Sequence, residues 1–222
     1  ADGGVTWTAV TAGLLPQRAQ ALLASGTTVY LGTSDSGVLT ISDSEERWGS
    51  ASEGMRAATI ERLAVHNTRL IAAFGDIGII LTDSEDFGTW VQGGRGVTVN
   101  ALNDLVSDGQ SIFASIYGDG ISRSMDGGES WTQQNNGLTN PNLFCLHSHP
   151  NGLFAGSNGS GVFVSTDGGE SWQARGSGIE NAVVYDFSST GTTVYAVIAD
   201  KGVYASTDGG MSWMARDAGQ AS

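Results

Sequence analysis

Short apolar stretches alternate with turn signals along the chain, and the C-terminal part shows the scheme most clearly. There "VVYDFSS" (183–189), "TVYAVIA" (193–199), "GVYAST" (202–207) and "SWMAR" (212–216) are rich in β-branched and aromatic residues. The turn signals "STGT", "ADKG" and "TDGG" separate them, so this part reads as four short strands joined by tight turns. No window long enough for a helix carries an apolar stripe of helical period.

The scheme recurs at a fixed period. Tryptophans fall at Trp7, Trp48, Trp90, Trp131, Trp172 and Trp213, spaced 41, 42, 41, 41 and 41 residues apart. Six residues after each of the first five comes Gly13, Gly54, Gly96, Gly137 or Gly178. Fifteen residues after each comes Leu22, Leu63, Leu105, Leu146 or Phe187, and thirty after comes Gly37, Gly78, Gly120, Gly161 or Gly202. Four short strands in a period of about 41 residues make a propeller blade.

The expected fold is therefore all-β: a five-bladed β-propeller of four-stranded antiparallel blades, one domain over 1–222. The repeats run approximately 8–48, 49–90, 91–131, 132–172 and 173–213. The middle strands are nearly continuous in apolar character, as suits strands covered on both faces by neighbouring blades. The ends hold one outer strand too many, "GGVTWTAV" at the start and "GMSWMAR" at the close. A terminal outer strand is expected to close the ring, with residues 1–7 joining the last blade and the C-terminal copy displaced or taking that place itself.

Before three of the tryptophans the chain reads "SMDGGESW" (124–131), "STDGGESW" (165–172) and "STDGGMSW" (206–213). "ADGGVTW" (1–7) is a truncated copy, while "ISDSEERW" (41–48) and "TDSEDFGTW" (82–90) have lost the glycines at their usual places. In the complete copies Ser124, Ser165 and Ser206 precede Asp126, Asp167 and Asp208, whose carboxylates can accept backbone N–H groups two residues on and fix a turn. Gly128, Gly169 and Gly210 accept positive φ, and Trp131, Trp172 and Trp213 are large enough to pack between blades. A calcium loop needs several oxygen ligands at alternating positions, and only one carboxylate is regular here, so neither metal nor other cofactor is expected.

The motif resembles the Asp-box, or BNR, repeat of pattern Ser-x-Asp-x-Gly-x-Thr/Ser-Trp. That family includes sialidases, xyloglucan-degrading glycosidases, sortilin-type receptors and photosystem II stability/assembly factors. The resemblance covers the whole chain as architecture, and in style it is nearest to the assembly-factor-like propellers. It implies that the boxes lie between third and fourth strands, on the face opposite the usual ligand site. It leaves the activity open, because the family holds enzymes and non-enzymes. A sialidase would need an arginine triad and an Arg-Ile-Pro motif; the chain has no Arg-Ile-Pro, and its nine arginines show no pattern that singles out three.

Net charge is −13, from 10 basic and 23 acidic residues, which disfavours nucleic acid and anionic membrane surfaces as partners. No apolar run is long enough to span a membrane. The single cysteine, Cys145, excludes an internal disulfide and reads as a packed thiol, and the histidines His66, His147 and His149 lack zinc spacing. The chain starts inside a repeat without a signal peptide, which suits a mature protein whose leader was removed and favours an extracytoplasmic location.

Candidate chemistry lies on the face opposite the boxes, where positions differ from repeat to repeat. The loops before the first strands offer Gln17, Arg18, Arg56, Thr59, Asn100, Asn140, Asn142 and Asn181; those between second and third strands offer Asp35, Asp76, Tyr117, Asp119, Asn158, Asp200 and Lys201. The innermost strands carry Glu61, Arg62, Asn103, Asp104 and Asp186, with Arg62 and Asp104 expected to pair across neighbouring blades. The leading expectation is a monomeric, non-catalytic binding or scaffold propeller for a protein or a carbohydrate. A glycoside hydrolase of sialidase-like or xyloglucanase-like kind is the alternative, with a carboxylate pair drawn from Asp35, Asp76, Asp104, Asp119, Asp186 and Asp200. A fragment or engineered repeat protein without a ligand is the third.

Overall fold

The computed structural model describes residues 5–14, 18–53, 55, 59–75, 78–82, 89–98 and 101–216. Five four-stranded antiparallel sheets follow one another in a ring, each made of strands consecutive in the chain. Blade one is β1–β4 (Ala19–Ser25, Thr28–Thr33, Val38–Ser42, Gly49–Ser50) and blade two is β5–β8 (Ile60–His66, Arg69–Phe74, Gly78–Thr82, Trp90–Gln92). Blade three is β9–β12 (Leu102–Ser107, Ile112–Ile116, Gly120–Ser124, Thr132–Gln133). Blade four is β13–β16 (Leu143–His149, Gly152–Ser157, Val162–Ser165, Gln173–Ala174), and blade five is β17–β20 (Val184–Thr190, Thr193–Ile198, Gly202–Ser206, Met214–Ala215). No helix occurs among the described residues.

Of the two candidate outer strands for blade five, the C-terminal one holds the place, with β20 antiparallel to β19. Residues 5–7 of the N-terminal copy lie in no strand, and Trp7 is 90% exposed, contrary to the expectation that this copy joins the last blade. The reason is local: β20 follows β19 through one tight turn, so pairing it closes a far shorter loop than bringing back the N-terminus. Each outer strand also begins at or just after its tryptophan, so the blades straddle the repeat boundaries drawn at those tryptophans.

The core lies between blades. Along the ring the inner strands pack in sequence, β1 on β5, β5 on β9, β9 on β13 and β13 on β17. Each seam holds its own apolar cluster: Tyr30, Leu63 and Leu70 between blades one and two; Ile79, Ile112 and Trp131 between two and three. Phe113, Leu153 and Trp172 lie between three and four, and Phe154, Val194 and Trp213 between four and five. A fully buried side chain of this size contributes about 1.5–3 kcal/mol relative to exposure, so these seams carry most of the stabilisation.

Backbone hydrogen bonds join the same seams at the tryptophans. Trp131 donates its N–H to the Arg95 carbonyl (2.9 Å) and Arg95 donates to the Glu129 carbonyl (3.0 Å), forming a short parallel link between blades two and three. Trp172 donates likewise to Asn136 at 2.8 Å, Trp213 to Ser177 at 3.0 Å and Trp48 to Ala12 at 2.9 Å. This link accounts for the glycines six residues after Trp7, Trp90, Trp131 and Trp172. Gly137 has φ +80°, and a Cβ there would stand 2.2 Å from the Trp172 carbonyl oxygen.

Candidate binding face

The complete Asp-boxes are structural turns. In the first, the Asp126 carboxylate accepts the Ser124 hydroxyl (2.8 Å), the Ser130 amide (2.9 Å) and the Ser130 hydroxyl (2.5 Å), while Ser124 Oγ accepts the Gly128 amide at 2.8 Å. Asp167 and Asp208 repeat this with Ser165 and Ser171, and with Ser206 and Ser212. The backbone donor is thus four residues on, not two as expected from the sequence. Two successive glycines with positive φ turn the chain back before it reaches that serine.

The second glycine serves packing as well. A Cβ on Gly128 would lie 2.7 Å from Leu81 of the preceding blade, and one on Gly169 would lie 2.4 Å from Phe113. Trp131, Trp172 and Trp213 are buried in the seams as expected. Burial is the largest single influence on Asp126 and opposes its ionisation, but the Ser130 and Ser124 bonds together outweigh it and bring the carboxyl down to about 2. For Asp167 and Asp208 the neighbouring serine hydroxyl and amide dominate, with the same result of about 2.

The face opposite these turns is braced by part of the residues picked out from the sequence. Asn140 Nδ2 donates to the Asn158 carbonyl (3.1 Å) and to Ser160 Oγ (2.9 Å), and its Oδ1 accepts the Asn142 amide at 2.9 Å. The Asn142 carbonyl accepts the Asn158 amide at 2.8 Å, so these asparagines hold two loops of blade four together. Asp119 offers its backbone carbonyl to Gln133 and Asn135. Arg18 and Asp35 belong to blade one, Thr59 donates to the Ser34 carbonyl at the next seam, and Asp200 stands apart on blade five with φ 59°. Gln17, Arg56, Asp76 and Asn100 lie outside the described residues.

What the geometry gathers is an aromatic row. Tyr117 stacks on Phe144 with centroids 5.9 Å apart, and Phe144 meets Tyr185 at 5.7 Å. Asn158 Nδ2 donates to the Tyr117 hydroxyl at 3.1 Å, tying the row to the loops of blade four. Tyr117 and Tyr185 are half-exposed, and Phe144 is partly covered between them. Three blades thus contribute one continuous surface.

Sequence reading found Tyr117 and missed the other two rings. Each inner strand skips one residue in its pairing with the second strand: Gln20 in β1, Glu61 in β5, Asn103 in β9, Phe144 in β13 and Tyr185 in β17. These β-bulges sit two residues before the phase leucine or phenylalanine, and a bulge re-aims its side chain. Glu61 and Asn103 were noted at this position, so extending the same phase to the next two repeats would have found Phe144 and Tyr185.

Beside the bulges runs a second set of residues. Arg62 Nε lies 3.9 Å from Asp104 Oδ1, the expected pair between blades two and three. Asp104 also accepts the amides of Leu105 (2.9 Å) and Leu146 (2.8 Å), so its carboxylate braces blade three to blade four. Burial pushes its pKa up to about 6 against these bonds, with the Asp186 charge adding to the rise. Cys145, next along, is buried with its Sγ 3.7 Å from the Val184 carbonyl, and burial drives its thiol pKa well up.

The BNR/Asp-box repeat family matches residues 163–174, which span the second complete box. No curated protein matches the chain. Among solved structures, PorZ, a surface component of the Porphyromonas gingivalis type-IX secretion system, aligns at TM-score 0.68 and 14% identity over 91% of this chain and 28% of its own. YCF48 bound to D1 peptide aligns at TM-score 0.67 and 17% identity over 89% of this chain and 66% of its own. The GH74 enzyme of Niastella koreensis aligns at TM-score 0.66 and 17% identity over 89% of this chain and 30% of its own. At these identities the likeness concerns the fold, and the chain spans 66% or less of the length of each. Repeat period and blade topology agree on the fold: the chain is a five-bladed β-propeller, and one of its repeats matches the BNR/Asp-box model.

Proposed function

We propose that this propeller is a binding module that takes a protein segment on the face opposite the Asp-boxes, across blades three to five. The Tyr117–Phe144–Tyr185 row carries the reading. Tyrosines at a half-exposed, pre-organised site supply large contact area at small entropic cost, and such rings dominate binding energy at protein interfaces. Phe144 stands between two rings, which turns its faces toward neighbours and leaves little free flat surface for a sugar. The net charge of −13, with Asp119 and Asp186 near the row, suits a segment with basic as well as apolar side chains. YCF48, similar in fold, has been solved with a peptide bound.

The hydrolase alternative draws no support from Asp104, the carboxyl with a raised pKa, because both its oxygens are committed to backbone amides. The test is a random peptide array probed with the wild-type chain and with Tyr117→Ala and Tyr185→Ala, beside a glycan array. The reading expects basic-aromatic peptides to bind, with at least about tenfold weaker affinity in either variant, roughly 1.4 kcal/mol. Peptide binding unaffected by both substitutions overturns it. Glycan binding lost in the variants, without peptide binding, would assign the row to carbohydrate.

A further inference from the structure

All three histidines of the chain bond across a seam between blades, and two of them meet at the same one. His66 Nδ1 lies 2.8 Å from Ser107 Oγ, between blades two and three. Between blades four and five, His147 Nε2 lies 3.0 Å from Ser189 Oγ, and His149 Nε2 donates to the Gly191 carbonyl at 3.1 Å. A carbonyl only accepts, so Nε2 of His149 carries the hydrogen. Its Nδ1 accepts the Asn151 amide at 3.2 Å, which requires a bare nitrogen. Only the neutral ring satisfies both bonds; a second proton would set N–H against N–H.

The surroundings disfavour charge on either ring. His149 is buried edge-on to Phe154 at 6.1 Å, and His147 stacks on His149 at 6.4 Å with Phe187 equally far on its other side. Charged groups approach from several elements: Asp186 on β17, Asp108 in the turn after β9 and Arg175 after β16, with Asp104 of β9 beside Cys145. Asp167 and Asp208 are turned into the serines of their own boxes. Among the described residues, neither ring is hydrogen-bonded to a carboxylate. Burial first, and then His149, lowers the pKa of His147, although Asp186 pulls the other way.

We infer that the seam between blades four and five is an acid-sensitive latch, in which proton uptake by His147 and His149 releases β17 from β13. The neutral rings belong to the closed seam and the charged rings to the opened one. The contacts are therefore held in full above pH 6.5, the ordinary histidine value, and weaken as pH falls below it. Asp104, raised to about 6, works in the opposite sense and on the seam between blades three and four. Phe144 and Tyr185 stand on either side of the histidine seam, so its opening parts the aromatic row. That consequence rests on the binding role proposed above, whereas the latch itself does not.

The single cysteine reports on this seam, because Cys145 is buried against it with Sγ 3.7 Å from the Val184 carbonyl. Its labelling by dithiodipyridine, which reacts in acid as well as at neutral pH, is followed at about pH 7.5 and about pH 5.5. Each rate is divided by that of the urea-unfolded chain at the same pH, with circular dichroism confirming the fold. At about pH 5.5 an exposed imidazole is charged about tenfold more often than neutral, so the relative rate should rise by about tenfold for each histidine held neutral. The rise should persist in His66→Gln and shrink in His147→Gln and His149→Gln; should His149→Gln not fold, His147→Gln carries the test. A relative rate equal at both pH values, or a rise that the blade-four variants leave intact, overturns the inference. The peptide array, probed at both pH values, separates the two readings. Peptides released in acid alongside faster labelling support both, while acid-dependent labelling with an array silent throughout upholds the latch and removes the binding role.

Discussion

Replacing Asp167 with alanine removes three hydrogen bonds from one box: those from the Ser165 hydroxyl (2.7 Å), the Ser171 amide (3.0 Å) and the Ser171 hydroxyl (2.6 Å). Bonds to a charged acceptor are worth about 1.5–3 kcal/mol each when shielded, but this turn faces water, which replaces much of what is lost. The carboxyl gives an independent measure. Its depression from 3.8 to about 2 would correspond to at most about 2.5 kcal/mol, and exposure reduces that to about 1 kcal/mol. A loss of about 1–2 kcal/mol follows, or about 2–8 °C in melting temperature for a chain of this size.

The effect has a defined pH window. A carboxylate with a depressed folded pKa stabilises above its unfolded value, here 3.8, and the contribution disappears as pH falls through about 2. Differential scanning calorimetry of the wild type and Asp167→Ala at neutral pH and near pH 2 checks both points. An unchanged melting temperature at neutral pH would refute the turn-holding role, and so would an equal deficit at both pH values.

Gly137→Ala should be among the most disruptive single-atom changes, at about 2–3 kcal/mol by urea titration, because the added Cβ meets the Trp172 carbonyl oxygen at a residue whose φ of +80° already disfavours a side chain. Asp104→Asn should alter a slope: with its folded pKa raised to about 6, wild-type Asp104 favours folding below 3.8 and loses that contribution as pH rises through 6. Urea midpoints measured from pH 4 to 7 should therefore decline less in the asparagine variant than in the wild type, and parallel profiles would contradict this.

The fold was legible because a ring of blades makes the same demand at every repeat. The tryptophans, the glycines six residues later and the apolar phase positions answer to seam packing and to the backbone link at Trp131 and Trp172, so they recur in step. The bond pattern inside the box was less legible, since only the paired glycines' actual φ values bring Ser130 back to Asp126. The candidate face was legible in part. Asn140 and Asn142, singled out as ligand residues, have their polar groups engaged in holding loops, and this depends on distances that spacing does not reveal. Phe144 and Tyr185 share the sequence phase of Glu61 and Asn103, but it is the bulge beneath them that re-aims their rings toward the face.

The link between each tryptophan and the preceding blade also shapes how the chain acquires and loses structure. The strand packing, within a blade or across a seam, joins a blade to itself or to its neighbour in sequence, so contact order is low for an all-β protein and ordering can advance along the chain as it is synthesised. A single blade buries little by itself and gains its core only when a neighbour arrives, which makes growth cooperative in one dimension. Loosening one seam should then weaken both blades that share it, and amide hydrogens on its two sides should exchange faster together.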